Sequence, residues 1–216
     1  MSGLQLGGIR FYASELRDLT VAWIALGIAF SVFFLRYLGV PIFPYPADVL
    51  SSPLFVRLFL ISLTTVGVGF LLHELAHKVV AVRFGQVAAF RADYPMLALA
   101  VGAAFAGFIF AAPGAVHHQG YITERENGLI SVAGPVTNVL LVAVFLPLVS
   151  FDGLVGQAGQ LGVIINAFLA AFNMIPFGPL DGRKVVAWSK IVFLLTFAGT
   201  AALAVGAFLF VGLPSF

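Results

Sequence analysis

The chain has 216 residues, of which 61% are apolar and only 9% are charged. Soluble domains contain roughly a quarter charged residues and about half apolar ones, so the composition excludes an ordinary water-soluble globule and a disordered chain. The net charge of +2 comes without any cluster of Lys and Arg, which argues against nucleic-acid binding. With no cysteine, disulfides and thiolate metal ligands are also excluded. The composition predicts an integral membrane protein.

Six apolar segments follow one another along the chain after a short mixed stretch with no signal-peptide pattern. They cover residues 19–37, 54–84, 96–112, 129–150, 161–175 and 191–213. Because a membrane-spanning helix needs about 20 residues, these segments allow five or six crossings and leave no room for an attached soluble domain. We expect a single domain over residues 1–216, an all-α polytopic membrane protein with a small β element near residues 85–123.

The second apolar segment carries His73-Glu74-Leu75-Ala76-His77 in its last third. Residues four apart lie on one face of a helix, so the two histidines can offer their imidazoles to one metal ion. Glu74 lies between them and is close enough to act as a general base on water at that metal. Ionisable groups at membrane depth are costly and are functional by default, so a metal centre is favoured over mutual capping of these side chains.

A catalytic zinc takes three protein ligands and keeps a position for water, so one more His, Asp or Glu is needed. The downstream candidates are His117, His118, Glu124, Glu126, Asp152 and Asp181. The adjacent histidines would point to opposite faces of a strand, and Glu126 fits the third position of a helix capping box. Asp181 ends an apolar stretch that contains two prolines, and broken helices of this kind build polar sites in membranes. Asp181 is therefore the favoured third ligand, while the other candidates stay open.

Three motifs in order resemble the site-2 protease family of intramembrane zinc metalloproteases. They are His73-Glu74-x-x-His77, Gly134-Pro135-Val136-Thr137-Asn138 and Asn173-Met174-Ile175-Pro176-Phe177-Gly178-Pro179-Leu180-Asp181-Gly182. The resemblance covers residues 54–190, which we expect to form the catalytic core, and no PDZ-like or CBS-like module is expected beside it.

The resemblance implies a ligand set and an activity. It implies one Zn²⁺ per chain, bound by His73, His77 and Asp181, with Glu74 as the general base. It further implies hydrolysis of peptide bonds in or near the transmembrane segments of membrane-anchored proteins, as in regulated intramembrane proteolysis. The substrates and the lipid bilayer are then the expected partners.

The resemblance also implies roles for the other two motifs. Asn173 is expected to position the substrate backbone or the oxyanion. Gly134, Pro135 and Asn138 are expected to belong to the helix that packs behind the site. Arg183 departs from the family pattern, because many relatives have a second Gly there, but this change leaves the ligand set intact.

Two other functions fit part of the pattern. A membrane metalloprotease of another class would use Glu124 or Glu126 in place of Asp181 as the third ligand. A metal or proton transporter would use the buried histidines as an ion path. That second reading gives no role to Glu74, so we favour the protease.

The number of crossings depends on the segment Met96–Ala112. His77 and Asp181 both lie near the end of an apolar segment, so an even number of crossings must separate them if they share one metal. We therefore expect Met96–Ala112 to be re-entrant or otherwise non-crossing, which leaves about five crossing helices. Nine of the 11 Lys and Arg residues then share one side, which the positive-inside rule places in the cytosol. We expect a multi-pass protein of a prokaryotic cell membrane, with its N-terminus and the opening of the active site in the cytosol.

Overall fold

The structure, a computed structural model, describes residues 3–109, 113–214 and 216. Its helices are α1 (Ala13–Tyr37), α2 (Pro46–Leu50), α3 (Pro53–Ser62), α4 (Val68–Arg83), α5 (Tyr94–Phe105), α6 (Glu124–Phe145), α7 (Gly153–Asn173), α8 (Asp181–Trp188) and α9 (Lys190–Phe210). Its strands are β1 (Gly3–Leu6), β2 (Ile9–Tyr12), β3 (Val87–Ala92) and β4 (Gly114–Gln119). The predicted all-α polytopic architecture is confirmed.

Five helical segments of the described chain are long and apolar enough to cross a membrane, as the sequence predicts. They are α1, the continuous run of α3 and α4, α6 with the 3₁₀ turn that follows it, α7, and α9. A wide π-helical turn, Leu63–Gly67, joins α3 to α4 and makes one span of 31 residues. The indole N–H of Trp23 in α1 donates to the Leu63 carbonyl at 2.9 Å, which ties α1 to this turn.

The helices that carry the predicted motifs are neighbours. Helix α6 packs between α4 and α7, and it also contacts the short helix α8. The largest cluster of buried apolar side chains lies on the other side of α4, where α1 packs against α3 and α5. The three motif-bearing segments therefore meet on one side of α4, with the main core of the bundle behind them.

The β element predicted near residues 85–123 is a two-stranded antiparallel sheet of β3 and β4. Its register pairs Val87 with Gln119 at one end and Ala92 with Gly114 at the other. Strands β1 and β2 form a second antiparallel pair at the N-terminus, just before α1. Both sheets lie at the end of the bundle where α1 begins and α4 ends.

The chain leaves the β3–β4 sheet after Ala92 and rejoins it at Gly114, and the predicted segment Met96–Ala112 lies between these two points. The amide of Asp93 donates to the carbonyl of Pro113 at 3.1 Å, so the two ends of the excursion meet. Helix α5 has 12 residues and is about 18 Å long, which is short of a bilayer. Residues 110–112 lie outside the described residues. Over the described residues 96–109 the segment contains no helix of span length, as expected of a non-crossing segment, and two helices of span length, α6 and α7, separate the end of α4 from Asp181.

Candidate metal centre

Three donor atoms converge in the interior of the bundle. Nε2 of His73 and Nε2 of His77 are 3.0 Å apart, and Oδ2 of Asp181 lies 3.3 Å from the first and 3.1 Å from the second. All three side chains are buried. Among the residues that the structure describes, these three form the group of His, Asp or Glu side chains close enough to share a metal ion.

The spacing of the donors fits a small tetrahedral cation. Zinc bonds of about 2.0–2.2 Å to nitrogen and oxygen place neighbouring ligand atoms about 3.3–3.6 Å apart in a tetrahedron. The separations of 3.0–3.3 Å lie close to that range. Gly134 in α6 faces the donors so closely that a Cβ there would lie 2.5 Å from both Nε2 atoms. The absence of a side chain at this position keeps the space beside the donors open.

Both imidazoles are oriented by hydrogen bonds at their other nitrogen. Nδ1 of His73 is 2.6 Å from Oδ1 of Asn138, and Nδ1 of His77 is 2.7 Å from the carbonyl of Ile130. Each acceptor takes an Nδ1–H, so the lone pair of Nε2 faces the centre. Partners of this kind fix the tautomer and ring orientation of metal-binding histidines.

The amide of Asn138 is itself fully engaged. Its Nδ2 donates to the Gly69 carbonyl at 3.3 Å and to Oδ1 of Asn166 at 2.9 Å, which leaves its Oδ1 for His73. Asn166 in turn donates to the Gly162 carbonyl at 2.8 Å. This chain of buried amides fixes which way the Asn138 amide points, and through it the orientation of the His73 ring.

Glu74 is buried beside the three donors and interacts electrostatically with His73, His77 and Asp181. Its Oε2 accepts a hydrogen bond from the backbone amide of Val116 at 3.0 Å. The carboxylate is therefore held between its own helix and strand β4. A carboxylate placed there can exchange a proton with a group bound at the three donors.

Asp181 reaches the histidines because the chain breaks between α7 and α8. Helix α7 ends at Asn173, and α8 begins at Asp181 itself, where the helix dipole favours an acidic side chain. Gly182 lies so close to the backbone of Met174 that any side chain there would clash. This contact folds the start of α8 against the end of α7 and directs Asp181 inward.

The remaining motif residues lie on the elements that surround the donors. Asn173 is half-buried at the end of α7, and its Nδ2 donates to the carbonyl of Leu169 at 3.0 Å. Pro135 is buried within α6, where it cannot donate to the carbonyl of Ser131. Helix α6, which carries Gly134 and Asn138, packs directly against α4.

The alternative ligands lie apart from the three donors. Glu126 forms the predicted capping box with Thr123 at the start of α6, with hydrogen bonds of 2.9 and 3.2 Å between them. Asp152 is the residue before α7, at the opposite end of that helix from Asn173. Glu124 is the first residue of α6 and is exposed.

The two adjacent histidines of β4 differ in environment. His117 is exposed, whereas His118 is half-buried. Burial lowers the pKa of His118, and the nearby positive charge of Lys184 lowers it further. His118 is thus favoured in its neutral form, on the same face of β4 as Val116.

Sequence reasoning missed three contributors to the site. The Ile130 carbonyl and the Val116 amide are backbone groups, which no side-chain pattern reveals. Asn166 carried a signal, because it is an amide in the otherwise apolar run 161–172. A buried amide in such a segment needs a partner, and its partner here is Asn138.

The fold and the three-donor cluster define a polytopic membrane protein with a candidate metal centre, and the comparisons with known proteins agree. The chain is 40% identical over 191 residues to "Putative zinc metalloprotease MJ0611" of Methanocaldococcus jannaschii, which covers 86% of this chain and 90% of that protein. It is 32% identical over 143 residues to "Putative zinc metalloprotease YwhC" of Bacillus subtilis, over 56% of this chain and 65% of that protein. No protein-family model and no solved structure matches the chain. The chain belongs to the family of zinc metalloproteases represented by these two relatives.

Proposed function

We propose that the protein is a zinc-dependent intramembrane endopeptidase of the site-2 protease type. The observation that carries the proposal is the convergence of His73, His77 and Asp181 within 3.3 Å, beside a buried Glu74, inside a bundle of span-length helices. The zinc metalloprotease names of the two relatives support the class of reaction. The three motifs of the sequence support the site-2 protease type.

The depth of the site supports a substrate that lies in the membrane. His77 and His73 lie six and ten residues before the end of α4 at Arg83, which corresponds to about 9–15 Å along the helix. A peptide bond reaches that depth as part of a transmembrane segment. Because a helix engages its carbonyls in its own hydrogen bonds, the substrate must unwind locally before it is cleaved.

The residues divide the chemistry among them. His73, His77 and Asp181 would hold one zinc ion, which supplies a Lewis acid that polarises a carbonyl and brings the pKa of water toward neutrality. Glu74 accepts the proton of the attacking water and returns it to the leaving amine. Asn173 still has one amide hydrogen beyond its bond to Leu169, and we assign it to the substrate backbone or the oxyanion.

Orientation and substrates are part of the same proposal. His73 and His77 lie in the half of the second span nearest the end of the bundle where α1 begins and α4 ends, so we propose that the site opens toward that end, to which nine of the 11 Lys and Arg residues are assigned. The positive-inside rule makes that end cytosolic. We propose that the protein lies in a prokaryotic cell membrane, cleaves membrane-anchored proteins and does not bind nucleic acid.

The test is reconstitution of the purified chain in liposomes with a tagged single-span reporter protein. We expect wild-type protein to contain one zinc per chain and to cleave the reporter within its apolar segment. Glu74→Gln should keep the zinc and lose cleavage, because it removes only the proton acceptor. Zinc or proton flux into the liposomes that persists in Glu74→Gln, without cleavage by the wild type, would establish a transporter instead.

A further inference from the structure

A buried ion pair lies outside the metal centre. Nζ of Lys78 is 2.5 Å from Oε2 of Glu15, and both side chains are fully buried. Removing two charges from water is costly, and such a pair is often no more stabilising than apolar side chains of similar volume. Stability alone therefore does not explain the burial of this ion pair.

The pair joins several elements at one point. Lys78 also donates to the carbonyl of Arg10 at 2.8 Å and lies 4.0 Å from the centre of the Phe11 ring. Oε1 of Glu15 accepts the backbone amide of Phe90 at 3.1 Å. The Glu15 carboxylate thus connects α1, strand β2 and α4 to strand β3.

The amide that Glu15 holds lies opposite the amide that Glu74 holds. Phe90 and Val116 are directly paired in the antiparallel sheet. The Phe90 amide points outward to Glu15, and the Val116 amide points outward to Glu74 at 3.0 Å. This is the geometry of a non-hydrogen-bonded pair, in which both amides face away from the partner strand. The carboxylates of Glu15 and Glu74 therefore bind the sheet from its two edges, at the paired residues Phe90 and Val116.

The hydrogen bonds of Glu74, Glu15 and Lys78 form a closed path that begins and ends on α4. Lys78 lies one helical turn beyond Glu74 on the same face. Starting from Glu74, the path runs through Val116 and Phe90 across the sheet to Glu15, and returns through Lys78 to the same helix. A shift of β3 moves the Val116 amide, and with it the carboxylate of Glu74.

We propose that Glu15 and Lys78 are positioning residues for Glu74: they fix the β3–β4 sheet so that the Val116 amide holds the Glu74 carboxylate in place. This role rests on the proposed function, because it concerns the group that we assign as proton acceptor. It assigns an effect on the rate of the chemical step to Glu15, which lies far in sequence from the motifs, and to Lys78, the residue after His77.

Two double variants separate positioning from charge. Glu15→Leu with Lys78→Met removes both charges together and also removes the acceptor for the Phe90 amide. Glu15→Gln with Lys78→Met removes the same charges but keeps a carbonyl oxygen for that amide. Both avoid leaving a buried charge without its partner. Ser14→Ala is the surface control, because Ser14 links α1 to β3 only through an exposed bond from Arg91.

The readouts are zinc content, kcat and KM for the single-span reporter in liposomes, and hydrogen exchange of the Val116 amide. We expect the Leu double variant to keep its zinc and its KM, to lose about 10- to 100-fold in kcat and to exchange faster at Val116. The Gln double variant should lose less kcat than the Leu double variant, because it keeps an acceptor for the Phe90 amide but lacks the Lys78 bond that orients it, and Ser14→Ala should match the wild type. Equal kcat in the two double variants, whether high or low, would overturn the proposal.

Two further results keep the test decisive. If the Leu double variant does not insert, Glu15→Asp takes its place, because it keeps the charge but withdraws the carboxylate from Phe90 by one methylene. An unchanged kcat in Glu15→Asp would then overturn the proposal. If the wild type cleaves no reporter, the proposed function fails, and exchange at Val116 decides the positioning alone: equal exchange in both double variants refutes it.

Discussion

Gly134→Ala adds one methyl group at the point where α6 faces the metal centre. A Cβ at this position would lie 2.5 Å from Nε2 of both His73 and His77. Neither ring can easily withdraw, because Asn138 and the Ile130 carbonyl hold their far nitrogens at 2.6 and 2.7 Å. The substitution therefore acts on the donor atoms themselves.

The size of the effect follows from the distance that must be gained. Ordinary contact begins at 3.4 Å, so the rings or α6 must move by about 0.9 Å. Overpacking of this kind costs about 1–3 kcal/mol of stability. Disturbed orientation of metal-binding histidines weakens metal affinity by about 10- to 100-fold, and a misplacement of about 1 Å lowers the rate by about 100-fold. We expect the zinc affinity and kcat of Gly134→Ala to fall by these factors.

The assay measures zinc by competition with a chelator, and cleavage of the single-span reporter in liposomes at saturating zinc. Gly199→Ala is the matched control, because Gly199 lies in α9 with no neighbouring atom within 4 Å of its added Cβ. The control should keep zinc affinity, cleavage and melting temperature. Wild-type zinc affinity and kcat in Gly134→Ala would refute the assignment of the metal to these donors.

Three further outcomes follow from the arrangement of the site. Asp181→Ala should lose its zinc, whereas the double variant Glu124→Ala with Glu126→Ala should keep about one zinc per chain; the reverse result, measured by elemental analysis, would make an acidic residue of α6 the third ligand. Asn138→Ala should weaken zinc binding by about 10- to 100-fold, because His73 loses the acceptor that fixes its ring, and competition with a chelator measures this. The chain has no native cysteine. Single cysteines placed just before β3 and just after β4 should therefore react with a membrane-impermeant reagent from the same side; labelling from opposite sides would mean that the intervening segment crosses.

Much of the architecture could be predicted, because a membrane-spanning helix needs an uncharged apolar segment of about 20 residues, which is visible in the sequence. The apolar runs predict five or six spans, and the requirement that His77 and Asp181 reach one metal from the same side predicts that Met96–Ala112 does not cross. The structure adds what the runs cannot specify. The π-helical turn Leu63–Gly67 in the second span is fixed by the Trp23 indole, a contact between residues 40 apart in the chain.

The site was predictable where its chemistry is carried by side chains at fixed spacing. The His-Glu-x-x-His pattern predicts a helix with two candidate metal ligands on one face. The prolines before Asp181 predict a helix break, which favours Asp181 as the third ligand. The groups that hold these side chains were not predictable, because they are backbone atoms or depend on tertiary packing. The Val116 amide reaches Glu74 only once β4 lies along α4, and Asn166 meets Asn138 only once α6 and α7 are antiparallel neighbours.

Two networks of buried polar groups contact the proposed zinc ligands and the proposed general base. The Asn166–Asn138 amides contact His73 from the α6–α7 side and fix the ring of a proposed zinc ligand. The Lys78–Glu15 pair acts through the sheet and reaches Glu74. Because the two networks share only helix α4, their disruption should be separable. Damage to the first should appear as lost zinc affinity, and damage to the second as lost kcat with the zinc retained.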